Sequence, residues 1–225
     1  FDYITLIGVW EYAEQYIGGK SPYLDMLKKL RGYLKSDGKL LIAIENKMGL
    51  KYWNGAPEDH LGVIYGGLND YVDAQSVRTF SKQEIESMLP SAGWKNWRFY
   101  YPMPDYKLPD TIYTDDRLPN PGELRNYRKD YSSARIYNFY DAAVADQLCS
   151  DGMIPYFANS FLIECGLDFS DMVFAKYNRI RNEDYQIATI IRKVDGAEIV
   201  QKEALTSKAQ KHIFRMSSNV NPFLN

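Results

Sequence analysis

The sequence predicts an α/β fold with a mostly parallel sheet, and three observations favour it. Two short, nearly continuous apolar runs, FDYITLIGV (1–9) and KLLIAIEN (39–46), are typical of strands that are covered on both faces. Between them, residues 21–34 repeat leucine at helical spacing. A strand, a helix and a second strand in this order form a βαβ unit, whose two strands run parallel.

The helix of this unit has a recognisable beginning and end. Ser21 is a candidate N-cap, and Pro22 stands at the first helical position. At this position the backbone N–H that proline lacks would have no partner within the helix. A stripe that includes Leu24 and Leu27 would face the core. The turn sequence KSDG (35–38) would end the helix before the second strand.

A polar and aromatic insertion, residues 47–78, follows the second strand. The next helix is marked by a capping box, with Ser81 as N-cap and Glu84 three residues later. A strand is expected in WKNWRFYYP (94–102). Residues 102–121 are expected to be irregular, because their prolines interrupt helices and central strands.

The remaining segments predict a helix at 137–152, a strand at 156–166 and three further strands beyond it. A tight Asp-Gly turn at 195–196 would join the last two strands, and a helix follows them. We therefore expect an α/β domain in residues 1–166. Residues 167–225 would form a small β-rich appendage or the beginning of a further domain.

Composition excludes some classes of partner. The 225 residues can bury a full core, and the formal net charge of −2 leaves no basic footprint for nucleic acid. No apolar run reaches the roughly 18 residues that a membrane span needs. The two cysteines, Cys149 and Cys165, lack metal-like spacing, so a reduced, cytoplasmic protein is expected. The 19 tyrosines suit either sugar sites or ordinary packing.

The ordered segments resemble the second half of a class I S-adenosylmethionine-dependent methyltransferase, and the resemblance covers residues 1–166. FDYITLIGVWEYA is similar to the family's fourth strand and the segment beyond it, often written F-D-x-I-x-x-x-x-V-L-E-H. LKKLRGYLKSDGKLLIAIEN is similar to the next helix and the fifth strand, and TFSKQEIESMLPSAGWKNWRFYYP to the helix and strand that follow. FANSFLIEC would be the last strand, which is antiparallel in that family.

This resemblance implies a partial Rossmann-like methyltransferase sheet, mostly parallel with an antiparallel last strand, and S-adenosylmethionine as the cofactor. The family's glycine-rich loop and ribose-binding acid would lie before Phe1, so the expectation is a fragment that holds half of the cofactor site and is inactive alone. The residues after the first strand would border the cofactor: Gly8, Val9, Trp10, Glu11 and Tyr12. Trp10 or Tyr12 would cover the adenine or the methyl donor, and the alternative for Trp10 is a core aromatic.

The ends of the second strand and the insertion supply the catalytic candidates. Glu45 and Asn46 end that strand, at the edge where open α/β sheets bind ligands. His60 follows two carboxylates, an arrangement that orients a general base, with a loop histidine in a polar turn as the alternative. Candidates for binding the acceptor by stacking and hydrogen bonding are Lys51, Tyr52, Trp53, Glu58 and Asp59. The sequence predicts no metal site.

The expected function is methyl transfer from S-adenosylmethionine to a small oxygen acceptor, with a sugar in bacterial surface-polysaccharide assembly as the candidate. Two alternatives stay open: a glycosyltransferase or nucleotide-sugar enzyme with a similar open sheet, and a non-catalytic scaffold that keeps the fold. The first strand would leave an unpaired edge, which a second copy of the chain or an upstream domain of the same polypeptide would cover.

Overall fold

The computed structural model describes residues 1–72, 77–125 and 135–218, with side chains described as far as residue 215. Part of the predicted insertion, residues 73–76, lies outside the described residues. The strands are β1 (Tyr3–Ile7), β2 (Lys39–Glu45), β3 (Trp97–Met103), β4 (Thr111–Thr114), β5 (Ser160–Cys165), β6 (Met172–Tyr177), β7 (Ile187–Val194) and β8 (Ala197–Ala204). The helices are α1 (Ala13–Tyr16), α2 (Pro22–Arg31), α3 (Leu50–Trp53), α4 (Lys82–Ser91), α5 (Asp141–Ser150), α6 (Ile154–Phe157) and α7 (Ser207–Ser218), with 3₁₀ turns at Trp10–Tyr12 and Glu183–Tyr185.

The described strands form one mixed sheet in the order β1-β2-β5-β3-β4-β6-β7-β8. The predicted βαβ unit is present, because β1 and β2 pair in parallel on either side of α2 in the chain. Strand β5 lies between β2 and β3 and is antiparallel to both, as expected for the last strand of the resemblance. The protein is therefore an α/β protein.

The expectation of a mostly parallel sheet is wrong. Strands β1, β2 and β3 share a direction, but the antiparallel β5 separates β3 from β2, so one parallel pair is formed among the described strands. From β3 onward every pairing is antiparallel. Short connections favour the antiparallel pairings β3–β4, β6–β7 and β7–β8, because consecutive antiparallel neighbours need only a turn or short loop between them, whereas parallel neighbours need a crossover.

The expectation that β1 is covered on both faces is also wrong. Leu6 points into the core and is 5% exposed, while Tyr3 and Ile7 on the opposite face are 63% and 53% exposed. Strand β1 is the first strand of the sheet, so one of its edges is unpaired among the residues that the structure describes. An apolar strand with an open face and an open edge is a surface that another chain can cover.

The main core lies between the sheet and helices α2 and α4. Helix α2 contributes Leu27, and α4 contributes Ile85 and Leu89, all fully buried. Helix α4 begins as predicted: Ser81 Oγ accepts from the Glu84 amide at 3.3 Å, and Glu84 Oε2 accepts from the Ser81 amide at 2.7 Å. Helix α2 begins at Pro22 as predicted, but the Ser21 side chain makes no capping hydrogen bond.

Residues 102–121 contain a strand that the sequence analysis did not predict. Strand β4 (Thr111–Thr114) occupies four consecutive positions without proline and pairs with β3. The prolines on either side confine it to this short length, because proline donates no ladder hydrogen bond. The expectation of an irregular segment is therefore wrong for these four residues.

The three strands expected after residue 166 continue the same sheet. Strand β6 pairs with β4, and β6, β7 and β8 form an antiparallel meander. A second, smaller core joins the two parts, since Tyr100 and Ile112 pack with Ala175, Ala188 and Ile190. The division into two domains at residue 166 stays a prediction. No helix in the described part of the chain is long and apolar enough to cross a membrane.

Candidate functional site

The candidate site lies where β1 and β2 end. Because these strands are parallel neighbours, their carboxyl ends meet at one edge of the sheet. Beyond β1, Gly8 adopts a left-handed backbone with φ +61°. The 3₁₀ turn that follows buries the side chain of Glu11. Strand β2 ends in Glu45. Both glutamates are 1% exposed, so two carboxylates are buried at this edge.

His60 joins the two carboxylates from the insertion. Its Nε2 lies 3.5 Å from Glu11 Oε1, and its Nδ1 lies 3.0 Å from Glu58 Oε1. Glu58 is itself 2% exposed and holds the loop, because its Oε2 accepts from the backbone amides of His60 at 2.8 Å and Leu61 at 2.7 Å. Glu58 therefore fixes the orientation of the imidazole rather than standing free for a ligand.

The group formed by Glu11, Glu45, Glu58 and His60, called the acid–histidine cluster below, is incompletely paired. Glu45 Oε1 accepts from Lys107 Nζ. Glu11 Oε2 and Glu45 Oε2 are buried and have no hydrogen-bond partner among the described residues. Buried carboxylate oxygens without a partner are costly, so in a native protein they call for a specific explanation.

The charge state of His60 differs from that of a free general base. Burial lowers the pKa of His60, but hydrogen bonds to Glu11 and Glu58 outweigh the burial and raise the pKa to about 10. At neutral pH the ring is therefore an imidazolium that offsets the negative charge of its neighbours. In this state His60 has no lone pair with which to take a proton, and its role as a general base stays a prediction.

A second polar network lies beside the cluster. Lys51 Nζ is 2.6 Å from Asp59 Oδ2, which also accepts from the Tyr52 hydroxyl. Lys51 Nζ is 3.7 Å from Asp105 Oδ2, and burial raises the pKa of Asp105. Burial also acts to raise the pKa of Asp59, but the charge and hydrogen bond of Lys51 outweigh it and the pKa lies below its usual value. Lys51 and Tyr52 are 4% and 2% exposed, so their contacts with Asp59 hold the loop that carries His60 against the protein core.

Asn46 has a structural position. Its side-chain nitrogen donates to the carbonyls of Tyr156 and Ala158, each at 2.8 Å, and its Oδ1 accepts from the Met48 amide at 3.0 Å. Asn46 is fully buried. Its amide therefore holds the chain after β2 against the chain before β5, and we do not retain it among the catalytic candidates.

The residues expected to border a cofactor divide into two groups. Trp10 is fully buried, packs on Phe80 with ring centres 4.9 Å apart, and donates from Nε1 to the Tyr23 carbonyl at 3.1 Å, which matches the core alternative. Tyr12 meets His60 edge-on with ring centres 5.4 Å apart, so it borders the cluster. Val9 is 39% exposed.

A cavity of about 440 Å³ has Lys51 in its wall. Its walls are mainly apolar and aromatic: Leu50, Met103, Pro104, Leu124, Tyr137, Phe139, Tyr140, Ala142 and Ala145, with Lys51, Arg125, Asp141 and Asn159 as the polar members. Trp53, which was expected to bind the methyl acceptor, does not line this cavity. Its side chain is 43% exposed, and the centre of its ring lies 6.3 Å from that of Phe157.

Sequence reasoning missed the contribution of the proline-rich segment. Tyr106 and Lys107 reach the candidate site, since a Cβ on Gly8 would lie 2.9 Å from the Tyr106 hydroxyl and Lys107 pairs with Glu45. Asp105, which is 3% exposed, joins them. The signal available in the sequence was the charged and aromatic trio Asp105, Tyr106 and Lys107 directly after Pro104, but nothing local links it to β2.

Comparison with known proteins gives little. No family model matches the chain, and no curated protein matches it. A solved structure of an S-adenosylmethionine-dependent methyltransferase from Thermotoga maritima, described as a possible histamine N-methyltransferase, aligns with a TM-score of 0.35 at 12% identity over 75% of this chain and 56% of that one. The chain thus spans little more than half the length of that protein. A likeness at this level carries no functional argument.

Proposed function

We propose that this chain carries the acceptor side of an S-adenosylmethionine-dependent methyltransferase that modifies an oxygen of a small molecule. One observation carries the proposal: Gly8, Glu11, Glu45 and His60 converge at the carboxyl ends of β1 and β2. This is the edge at which open α/β sheets bind ligands. The sequence resemblance over residues 1–166 and the antiparallel β5 support the choice of chemistry.

The roles of the residues follow from methyl-transfer chemistry. Displacement at a sulfonium requires the acceptor oxygen in line with the methyl group, and a neutral hydroxyl must lose its proton. In the proposal, Gly8 and Tyr12 border the methyl donor, since the Cβ position of Gly8 lies 3.5 Å from Glu11 Oε1 and Tyr12 contacts His60 edge-on. The partnerless carboxylate oxygens of Glu11 and Glu45 receive the hydroxyl proton.

Access to the acid–histidine cluster requires the loop that carries His60 to move. Glu11 and Glu45 are each 1% exposed, and the side chain of His60, 9% exposed, is the most open member of the cluster. The loop is held by Glu58 and by the Asp59 contacts with Lys51. We infer that a substrate enters from the His60 side and that closure excludes water from the reacting groups.

The cavity beside Lys51 is the proposed place for the rest of the acceptor. Its aromatic walls, which include Tyr137, Phe139 and Tyr140, suit a molecule with a flat apolar face, such as the face of a sugar ring. Lys51 lines this cavity and lies 2.6 Å from Asp59, which precedes His60 in the chain, and 3.7 Å from Asp105. An acceptor held in the cavity would reach toward the cluster past Lys51.

The open edge of β1 is the proposed contact with a second copy of the chain or with another domain. Tyr3 and Ile7 leave apolar surface on the uncovered face of the strand. Sedimentation of the chain at several concentrations tests this proposal. A dimer that Tyr3→Lys dissociates would support it, and a monomer at every concentration would show that a second copy does not cover the edge.

Calorimetric titration with S-adenosylhomocysteine tests the proposed chemistry. We expect saturable binding to the chain, or to a longer polypeptide that contains it, and we expect Gly8→Val to abolish it because the new side chain meets the Tyr106 hydroxyl. Gly152→Val is the matched control, since Gly152 has a similar left-handed backbone, φ +65°, and no atom lies within 4 Å of the position of its Cβ. Binding of a nucleotide sugar in place of S-adenosylhomocysteine would overturn the methyltransferase proposal and favour the glycosyltransferase alternative.

A further inference from the structure

We propose that Glu11, Glu45 and His60 bind one divalent transition-metal ion. A carboxylate oxygen from each glutamate and a ring nitrogen of His60 all lie within 4.8 Å of one another. Ligands bonded at about 2.1 Å to one ion in tetrahedral geometry lie about 3.4 Å apart, so side-chain movements of about 1 Å would close the site. The inference deepens the proposed function, because it places the ion in the same site.

The partnerless oxygens are the independent observation that indicates a ligand. Glu11 Oε2 and Glu45 Oε2 are buried without a hydrogen-bond partner among the described residues, while the second oxygen of each carboxylate already meets a cation, His60 or Lys107. Both side chains are 99% removed from solvent. An ion coordinated between them would satisfy both oxygens without requiring the space that an organic ligand needs.

The surroundings of His60 match those of a metal-binding imidazole. Ligating histidines generally donate their other ring N–H to a carboxylate, which fixes the ring and the tautomer. Glu58 is placed for this function, with Oε1 at 3.0 Å from Nδ1. Nε2 then faces Glu11 at 3.5 Å and would bind the ion through its lone pair, as the neutral ring that metal ligation requires.

The donor set indicates which class of ion the site would take. Two carboxylates and one imidazole suit Mn²⁺, Fe²⁺ or Zn²⁺ better than Ca²⁺, which takes six to eight oxygens. Three protein ligands leave at least one coordination position open, as in catalytic metal sites. In the proposed reaction, the acceptor oxygen would occupy that position, where the ion lowers its pKa, and its proton would pass to Glu11 Oε1, the carboxylate oxygen that the ion leaves free. With the ion bound, Glu11 Oε1 thus takes the place of the partnerless oxygens as the proton acceptor.

Electron paramagnetic resonance of Mn²⁺ tests the proposal on the full chain, without cofactor or acceptor. We expect one Mn²⁺ to bind per chain, with nitrogen coupling from His60 in pulsed spectra. Glu11→Gln and Glu45→Gln should each weaken binding at least tenfold, and Glu58→Gln by about 10- to 100-fold through loss of the carboxylate behind the imidazole. Glu14→Gln, an exposed acid on α1, is the matched control and should bind as the wild type does.

Three outcomes would overturn the inference. The first is no saturable binding at millimolar Mn²⁺, and the second is binding that Glu11→Gln and Glu45→Gln leave unchanged. The third is bound Mn²⁺ that shows no nitrogen coupling in the wild type, or a coupling that persists in His60→Gln. Circular dichroism establishes that each variant is folded, and the wild-type nitrogen coupling decides the question if one variant does not fold. Since the readout involves neither S-adenosylhomocysteine nor an acceptor, failure of metal binding and failure of the proposed methyl transfer are observed separately.

Discussion

Replacing Asn46 with alanine should lower the free energy of unfolding by about 3 kcal/mol, at roughly 1 kcal/mol for each side-chain hydrogen bond lost. Those bonds are the two at 2.8 Å to the carbonyls of Tyr156 and Ala158 and the one at 3.0 Å from the Met48 amide. The loss could approach about 5 kcal/mol, because backbone groups left unsatisfied in a buried place cost more than the net value of a bond. Asn46 is fully buried, so water cannot replace its amide without rearrangement.

Urea unfolding followed by tryptophan fluorescence and circular dichroism measures this change. The midpoint should fall with little change in the denaturant slope, since the area exposed on unfolding is the same. The thermal midpoint should fall by roughly 6–12 °C for a chain of this size. Asn96→Ala, at an exposed position, is the control and should stay within about 0.5 kcal/mol of the wild type.

A second variant separates structure from chemistry at the same position. Asn46→Asp keeps the oxygen that accepts from the Met48 amide, but it replaces the donating nitrogen by a negatively charged oxygen next to the carbonyl oxygens of Tyr156 and Ala158. Because these oxygens repel one another, the variant should destabilise the fold at neutral pH at least as much as alanine does. A loss below about 1 kcal/mol for both variants would contradict the reasoning, because the three bonds would then contribute nothing measurable. Asn46 would in that case return to the list of catalytic candidates.

Three further changes are expected to have measurable effects. Trp10→Ala should lower the unfolding free energy by about 3–5 kcal/mol, as for a fully buried aromatic, and a loss below about 1 kcal/mol in urea unfolding would place Trp10 outside the core. Gly8→Ala should lower the free energy of unfolding by about 1–2 kcal/mol, because alanine is strained in a left-handed backbone. It should lower it further by a clash with the Tyr106 hydroxyl, which Tyr106→Phe removes. If Gly8→Ala has the same effect in the wild type and in Tyr106→Phe, the contact with the hydroxyl is excluded. Burial acts to raise the pKa of Glu84, but hydrogen bonds from Lys47 and the Ser81 amide outweigh it and lower the pKa below 4.5. The ionised Glu84 side chain therefore stabilises the fold above pH 4.5, and this stabilisation is lost as the pH falls through the pKa of the folded state. Unfolding midpoints between about pH 5 and pH 3 should therefore fall less steeply in Glu84→Gln than in wild type or in the loop variant Asp37→Asn, and identical slopes would refute the assignment.

The sequence by itself determined the local elements whose signals lie within a few residues. The βαβ unit of β1, α2 and β2 was predictable, since apolar runs and a leucine repeat specify strands and helix without distant partners. The capping box at Ser81 was predictable for the same reason, because both of its hydrogen bonds join residues three positions apart. The position of Glu45 at the edge where β1 and β2 both end followed from its place at the end of a parallel strand.

Only the tertiary structure decided which side chains share the site. Lys107 is 62 residues from Glu45 in the chain, and no periodicity or cap connects them. They form an ion pair because β2 and β3 run in the same direction on either side of β5, so the proline-rich segment after β3 begins at the edge where β2 ends. The order of the strands was hidden for the same reason: β5 enters between β2 and β3 through pairings that no local pattern encodes. The roles of Asn46 and His60 also depended on burial and on partners distant in sequence, which fix the hydrogen bonds of Asn46 and the proton of His60.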